Sequence, residues 1–241
     1  MLQRIAALFS ASWYWGLIFL AMAAIAFFLL RCQAKMRDHM AAVVEELLRK
    51  DPGLCLERLN NNRRLRLLFR KPLLELWRLD ACMALGEDED ARRTISRLQT
   101  MKLEPRDRLE LYQKKLSFYA SCAEGDKAKA ARDELKTFLK EMGVDKEKAY
   151  APILDEADII IGVYVDHNTG LMKKLVGRAE HTKNDIMRGI TQYRIAKLAW
   201  FKGDTGMMQT YLSRAGKNLQ GTWYAPIIEE ARTNPAILET K

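Results

Sequence analysis

Residues 72–101 read PLLELWRLDACMALGEDEDARRTISRLQTM, two apolar stripes separated by one short polar break. Leu73, Leu76, Leu79 and Met83 recur at steps of three and four; Gly86, Glu87 and Asp88 interrupt; then Ala91, Ile95, Leu98 and Met101 resume the same spacing. A period near 3.6 places each set on one face of a helix. Glycine is suited to end a helix in the left-handed conformation, and acidic residues are suited to begin the next one. The stretch predicts two helices joined by a tight turn.

Outward from this pair the same spacing repeats. Leu109, Tyr112, Leu116, Tyr119 and Ala123 form one stripe, and Ala131, Leu135, Phe138 and Met142 the next. Ile153, Ala157, Ile160 and Tyr164 follow, then Leu171, Leu175 and Ala179. Ile186, Ile190, Tyr193, Ala196 and Trp200 precede a last stripe of Met208, Tyr211, Leu212, Ala215 and Leu219. No strand-like alternation persists between them, and 13 Gly and 6 Pro are few for 241 residues, so the chain reads as all-α. Asp51-Pro52 supplies an N-cap followed by proline at the first helical position, and Glu104-Pro105 and Asn234-Pro235 mark similar boundaries. Gly125-Asp126 and Gly203-Asp204 read as further tight joints, with Gly143 and Gly170 as additional breaks.

The joints carry a family resemblance. In tetratricopeptide repeats a glycine ends helix A, and a small residue five positions later on helix B lets the pair pack closely. Gly86 to Ala91 resembles that joint, as does Gly125 to Ala130; Gly203 to Met208 is a third, with Met208 in place of the small residue. Gly86 to Gly125 is 39 residues and Gly125 to Gly203 is 78, twice that spacing, which puts a degenerate fourth joint near Tyr164 and Asp166–Gly170. The family's usual period is about 34 residues with a Trp-Leu-Gly-Tyr opening that is missing here. The resemblance covers roughly residues 72–220 and implies an antiparallel helix-pair α-solenoid, with Ala91 and Ala130 at the crossings and Ala128 pointing outward. A non-repeating helical bundle is the alternative.

Before this domain, residues 5–30, IAALFSASWYWGLIFLAMAAIAFFLL, hold no charge between Arg4 and Arg31. As a helix the run exceeds the roughly 30 Å hydrocarbon layer, so it predicts one transmembrane helix, with Trp13, Tyr14 and Trp15 at a headgroup boundary. The small-residue triplets at Ala21–Ala23 and Ala24–Ala26 are poorly placed for signal cleavage, because Phe27, Phe28, Leu29 and Leu30 continue the run. Arg31 before Cys32 argues against a lipoprotein signal. The division expected is 1–36 for tail and transmembrane helix, 37–71 for a basic juxtamembrane helical region, and 72–241 for the repeat domain.

Arg31, Lys35, Arg37, Arg49 and Lys50 follow the span and Arg4 alone precedes it, which favours a cytoplasmic C-terminal domain. Cys32, Cys55, Cys82 and Cys122 are widely spaced, unlike a secreted disulfide framework. From Arg31 to Lys71 there are 11 basic and 5 acidic residues, against 28 and 26 from Pro72 onward, so the excess charge lies beside the membrane. Arg63, Arg64, Arg66, Arg70 and Lys71 are candidate contacts to anionic lipid, since each juxtamembrane cation gains about 1 kcal/mol near an anionic leaflet. A solvated helix face explains them equally well. Nucleic acid is the less favoured ligand, because no aromatic stacking series or reading module accompanies them.

Catalytic patterns are sparse. His39, His167 and His181 lack metal-ligand spacing, there is no CxxC, phosphate loop or GxSxG, and His167 reads as a turn residue. Asp155, Glu156 and Asp158 form the best acidic cluster and read as a solvated helix surface; Met207, Met208, Trp200, Tyr211 and Trp223 read as packing residues. The expectation is a non-enzymatic, membrane-anchored adaptor without cofactor or metal, whose helix-A faces receive a protein or peptide partner. Arg78, Lys114, Lys115, Arg194 and Lys197 are the candidate partner-facing residues, because they interrupt or flank the apolar stripes. Two other classes stay open: an accessory subunit contacting its complex through the transmembrane helix, and an enzyme whose site assembles only in three dimensions.

Overall fold

The computed structural model describes residues 2–143 and 147–240; the side chains of 2–16, 147, 148 and 240 lie outside that description, and with them the boundary role expected of Trp13, Tyr14 and Trp15. All the regular structure described is helical. Helix α1 spans Leu2–Lys50, followed by α2 (Pro52–Asn61), α3 (Arg63–Leu68), α4 (Lys71–Leu85) and α5 (Asp88–Gln99). Then come α6 (Pro105–Ser121), α7 (Gly125–Glu141) and α8 (Glu147–Tyr164). A 3-10 turn (Thr169–Leu171) leads into α9 (Met172–His181), α10 (Asp185–Lys202), α11 (Thr205–Asn218), α12 (Tyr224–Thr233) and α13 (Ile237–Thr240).

Helix α1 is long and apolar enough to cross a membrane, and its described apolar side chains from Leu17 to Leu30 are exposed rather than packed on the domain. The helix continues unbroken past the expected boundary at residue 36. Residues 31–39 stand largely clear of the protein, and Met40, Ala41, Val44, Leu47 and Leu48 then dock against Cys55, Leu59, Leu65, Phe69 and Trp77. Asp51 caps α2 by accepting the Leu54 N–H at 2.9 Å, with Pro52 at the first helical position. The region 40–69 therefore shares a core with α4, and the backbone N–H of Trp223 donates to the Arg49 carbonyl at 3.1 Å, joining the C-terminal helices to the end of α1.

Beyond this cluster the core passes from neighbour to neighbour. Leu76, Leu79, Ile95 and Leu98 pack with Leu111 and Phe118 of α6; Leu116 and Ala120 of the same helix pack with Leu135, Ala157 and Ile161. Ile159 and Val163 of α8 then enter a third cluster with Leu175, Ile195, Leu198, Leu212 and Leu238. Met208 lies in that core with Met207, Trp200 and Tyr211 packed against it, as expected of packing residues.

The turn geometry corrects one expected joint. Among the described residues, backbone with positive φ occurs at Gly86, Ala123, Gly143, His167, Gly203 and Gly221. At Gly86, Ala123 and Gly203 the helix closes identically, the following residue's N–H reaching back five positions: Glu87 to Cys82, Glu124 to Tyr119, Asp204 to Ala199, each at 2.9 Å. This is the Schellman arrangement. Five residues after each of these three positions stands a buried side chain, namely Ala91, Ala128 and Met208. Gly125 is thus the first residue of α7, not the terminator of α6, and the true terminator is Ala123, two residues earlier. Ala128 is accordingly fully buried and Ala130 exposed, the reverse of the expectation from Gly125. His167, five residues before buried Met172, makes a turn with different hydrogen bonds, Asp166 N–H to Ile161 and Asn168 N–H to Gly162.

Candidate functional site

Arg78, Lys114, Lys115, Arg194 and Lys197 lie on α4, α6 and α10, the first helices of three of these pairs, and each already has an intramolecular partner. Arg78 donates to Glu75 and to the Asn60 side chain at 2.7 Å. Lys114 donates to both Asp80 oxygens at 2.6 and 2.7 Å and lies 3.2 Å from Glu110, so it ties α6 to α4. Burial works against its charge, and Asp80 and Glu110 outweigh that and hold its pKa above the ordinary lysine value. Lys115, buried, donates to both Glu134 oxygens across the α6–α7 pair.

Arg194 is 8 % exposed and donates to Glu156 of α8 at 2.6 Å, while Arg178 of α9 reaches the second Glu156 oxygen at 2.6 Å. Burial acts to raise the Glu156 carboxyl; Arg194 and then Arg178 outweigh it and hold the carboxyl below its usual range. Lys197, 1 % exposed, donates to the Leu238 carbonyl of α13 and sits over the rings of Tyr164 and Phe201 at 5.4 and 5.8 Å. Burial pushes its pKa down to about 8, opposed by Glu239. Glu75 and Glu110 lie within one helical turn of Arg78 and Lys114, whereas Asp80, Glu134 and Glu156, the partners of Lys114, Lys115 and Arg194, come from other helices and carry no signal in local spacing.

In the acidic cluster Asp155 and Asp158 stay on the solvated surface of α8, and Glu156 is drawn into a part-buried network. Asp155 pairs with Lys174 of α9, Glu156 with Arg178 of α9 and Arg194 of α10, and Asp158 lies 3.6 Å from Arg132 of α7. His167 sits in a turn, stacked on Phe201 at 3.7 Å with Nδ1 3.2 Å from the Val163 carbonyl. Among the described residues no group of three or more His, Cys, Asp and Glu comes together in an arrangement that would hold a metal.

Between α6 and α8 lies a cleft of about 160 Å³. Leu116, Leu135, Ile153, Ala157 and Ile160 form its apolar lining, and Gln113, Ser117, Glu156 and Arg194 supply polar groups. The Arg194 Nε is buried and has no hydrogen-bond partner among the described residues. A space of this size suits one aromatic ring or one branched aliphatic side chain, since an apolar cavity of about 150 Å³ holds benzene. It opens beside the Glu156–Arg194 ion pair that joins α8 to α10, so an occupant would meet apolar surface and the polar groups that line it.

Elsewhere the basic cluster divides. Arg70 pairs with Glu104 and lies 3.3 Å from Asp107, and Arg66 donates to the Asn60 carbonyl. Arg63, Arg64 and Lys71 are exposed, with no carboxylate within ion-pair distance among the described residues. No protein-family model, curated protein or solved structure matches the chain.

Proposed function

We propose that the chain is a membrane-anchored adaptor: α1 crosses the bilayer as a signal-anchor, the helical domain lies on the cytoplasmic side, and successive helix pairs form a tetratricopeptide-like scaffold for a protein or peptide partner. The observation that carries this reading is the recurrence of one joint, a left-handed Schellman cap followed five residues later by a buried side chain, at Gly86, Ala123 and Gly203. A core handed from each pair to the next supports stacked helix pairs, here closed by the Trp223 N–H on the Arg49 carbonyl, and stacked pairs serve to present a binding surface. The cleft between α6 and α8 is the place for the partner's apolar anchor residue, with Gln113 and Ser117 among the polar groups that line it. Confinement to the bilayer raises the effective concentration of a membrane partner without any new contact.

A photo-crosslinking residue at Gln113, which lines the cleft, is compared in native membranes with one at exposed Lys136 on α7. Discrete crosslinked species from position 113 and not from 136 support the adaptor reading; equal products from both, or none from either, refute it. Protease digestion of sealed, correctly oriented cells should leave the domain intact only if it is inside, and its digestion in such cells would reverse the orientation.

A further inference from the structure

Helix α3 turns one face inward and the other to solvent. Leu65 is buried among Val44, Cys55, Leu59 and Trp77, whereas Leu67, two residues on and about 200° around the helix, is 85 % exposed. Arg63 and Arg64, four and three residues before Leu67, share its outward face. These two guanidiniums have no carboxylate within ion-pair distance among the described residues, while Arg78, Lys114, Lys115 and Arg194 are all ion-paired within the fold. An exposed leucine between uncompensated arginines has the composition of a surface that meets apolar tails and anionic headgroups together.

When α1 tilts toward the side that carries α3, its dimensions bring this face within reach of a bilayer. The apolar run 5–30 is 26 residues, about 39 Å at 1.5 Å per residue against a hydrocarbon layer of about 30 Å, and a tilt of about 40° makes the two match. Val44, against which α3 packs, lies 14 residues past Leu30 on the same helix, about 21 Å along the axis. At that tilt its height falls to about 16 Å, and a helix packed on the lower side at about 9 to 10 Å loses about 6 Å more. The α3 axis then stands about 10 Å from the hydrocarbon edge, and the headgroup layer fills about 5 to 7 Å of that distance.

We propose that the outward face of α3, formed by Arg63, Arg64 and Leu67, is a second membrane contact that rests on anionic phospholipid of the leaflet where α1 ends and fixes the anchor in a tilted posture. It rests on α1 spanning a bilayer and is independent of what the α6–α8 cleft binds. The basic stretch thereby has divided roles: Arg66 and Arg70 hold the fold, and Arg63 and Arg64 hold the surface.

The full-length chain carrying Cys32→Ser and Cys122→Ser is placed in lipid nanodiscs, with a fluorophore at Leu67→Cys or, as control, at exposed Gln209→Cys on α11; Cys55 and Cys82 are buried. Headgroup-attached quenchers then report proximity. Expected is roughly twofold or greater quenching at position 67 when phosphatidylglycerol is mixed into phosphatidylcholine, little at 209, and loss of the gain in high salt or with Arg63→Gln and Arg64→Gln together. Equal quenching in both lipids, or a gain that survives the double substitution, overturns the contact. So does a charge-dependent gel shift with single-stranded RNA in the absence of any lipid effect, which assigns the arginines to nucleic acid instead. A chain that fails to enter the discs overturns the span itself and the contact with it, whereas entry without lipid-dependent quenching overturns the contact alone.

Discussion

Replacing Ala128 by leucine tests the joint at Ala123 most directly. Ala128 has no exposed surface and belongs to the cluster that includes Leu116, Ala120, Ala131, Leu135 and Ile161, so α7 meets both α6 and α8 close to this position. Leucine adds three carbons where the neighbouring helices leave no room, and overpacking of this kind costs about 1 to 3 kcal/mol. Alanine and leucine differ little in helix propensity, so the loss reports packing. Ala130→Leu, exposed on the same helix, should change stability by less than about 0.5 kcal/mol. The measurement is urea unfolding of the chain from Arg37 onward, which retains the docking residues Met40 to Leu48. A fall in midpoint on the order of 1 M at unchanged slope is expected for Ala128→Leu. A neutral Ala128→Leu, or an Ala130→Leu as damaging, would refute the assignment of Ala123 as the helix terminator.

Two further outcomes follow from buried positions on α10. Gly189→Ala should destabilise by about 1 to 2 kcal/mol, although alanine is the better helix former, because its Cβ would meet Leu219 Cγ at 2.6 Å and Asn218 Cβ at 3.0 Å; a stabilised variant in thermal unfolding would show that α11 yields. Lys197 has a folded pKa of about 8 against an unfolded value of about 10.4, so between these the unfolded chain binds more protons and stability rises with pH through that window. The full penalty, about 3 kcal/mol, applies below pH 8. Parent stability should therefore climb relative to Lys197→Met between pH 7.5 and 10, and parallel curves across that range would contradict the burial of a charged lysine.

Much of the helical framework was legible because periodicity is a local property. The stripes Leu76–Leu79, Ile95–Leu98 and Leu135–Phe138 are buried where spacing put them, and Asp51-Pro52 caps α2 as its chemistry required. Where local signals competed, glycine misled: Gly125 stands two residues after Ala123, and an alanine in left-handed backbone has no signature. The stripe Ala131, Leu135, Phe138 held the correction, since one step of three back from Ala131 reaches Ala128 and not Ala130. The candidate site was only half legible. Arg194 and Lys197 stood out as charges among apolar residues, yet the counter-charge of Arg194 is Glu156, 38 residues away, and the acceptor of Lys197 is the Leu238 carbonyl, 41 residues away.

By itself the sequence determined the all-α class, an uncharged segment long enough to cross a bilayer, and the excess of positive charge beyond it, because these depend on composition and on spacing within one helix. Only the tertiary structure decided that α1 continues to Lys50 and docks through Val44, that Arg63 and Arg64 find no carboxylate partner among the described residues while Arg70 meets Glu104, and that Leu67 faces outward. Pairing and burial depend on which helices meet. That is fixed by packing among residues distant in sequence, and no local pattern encodes it.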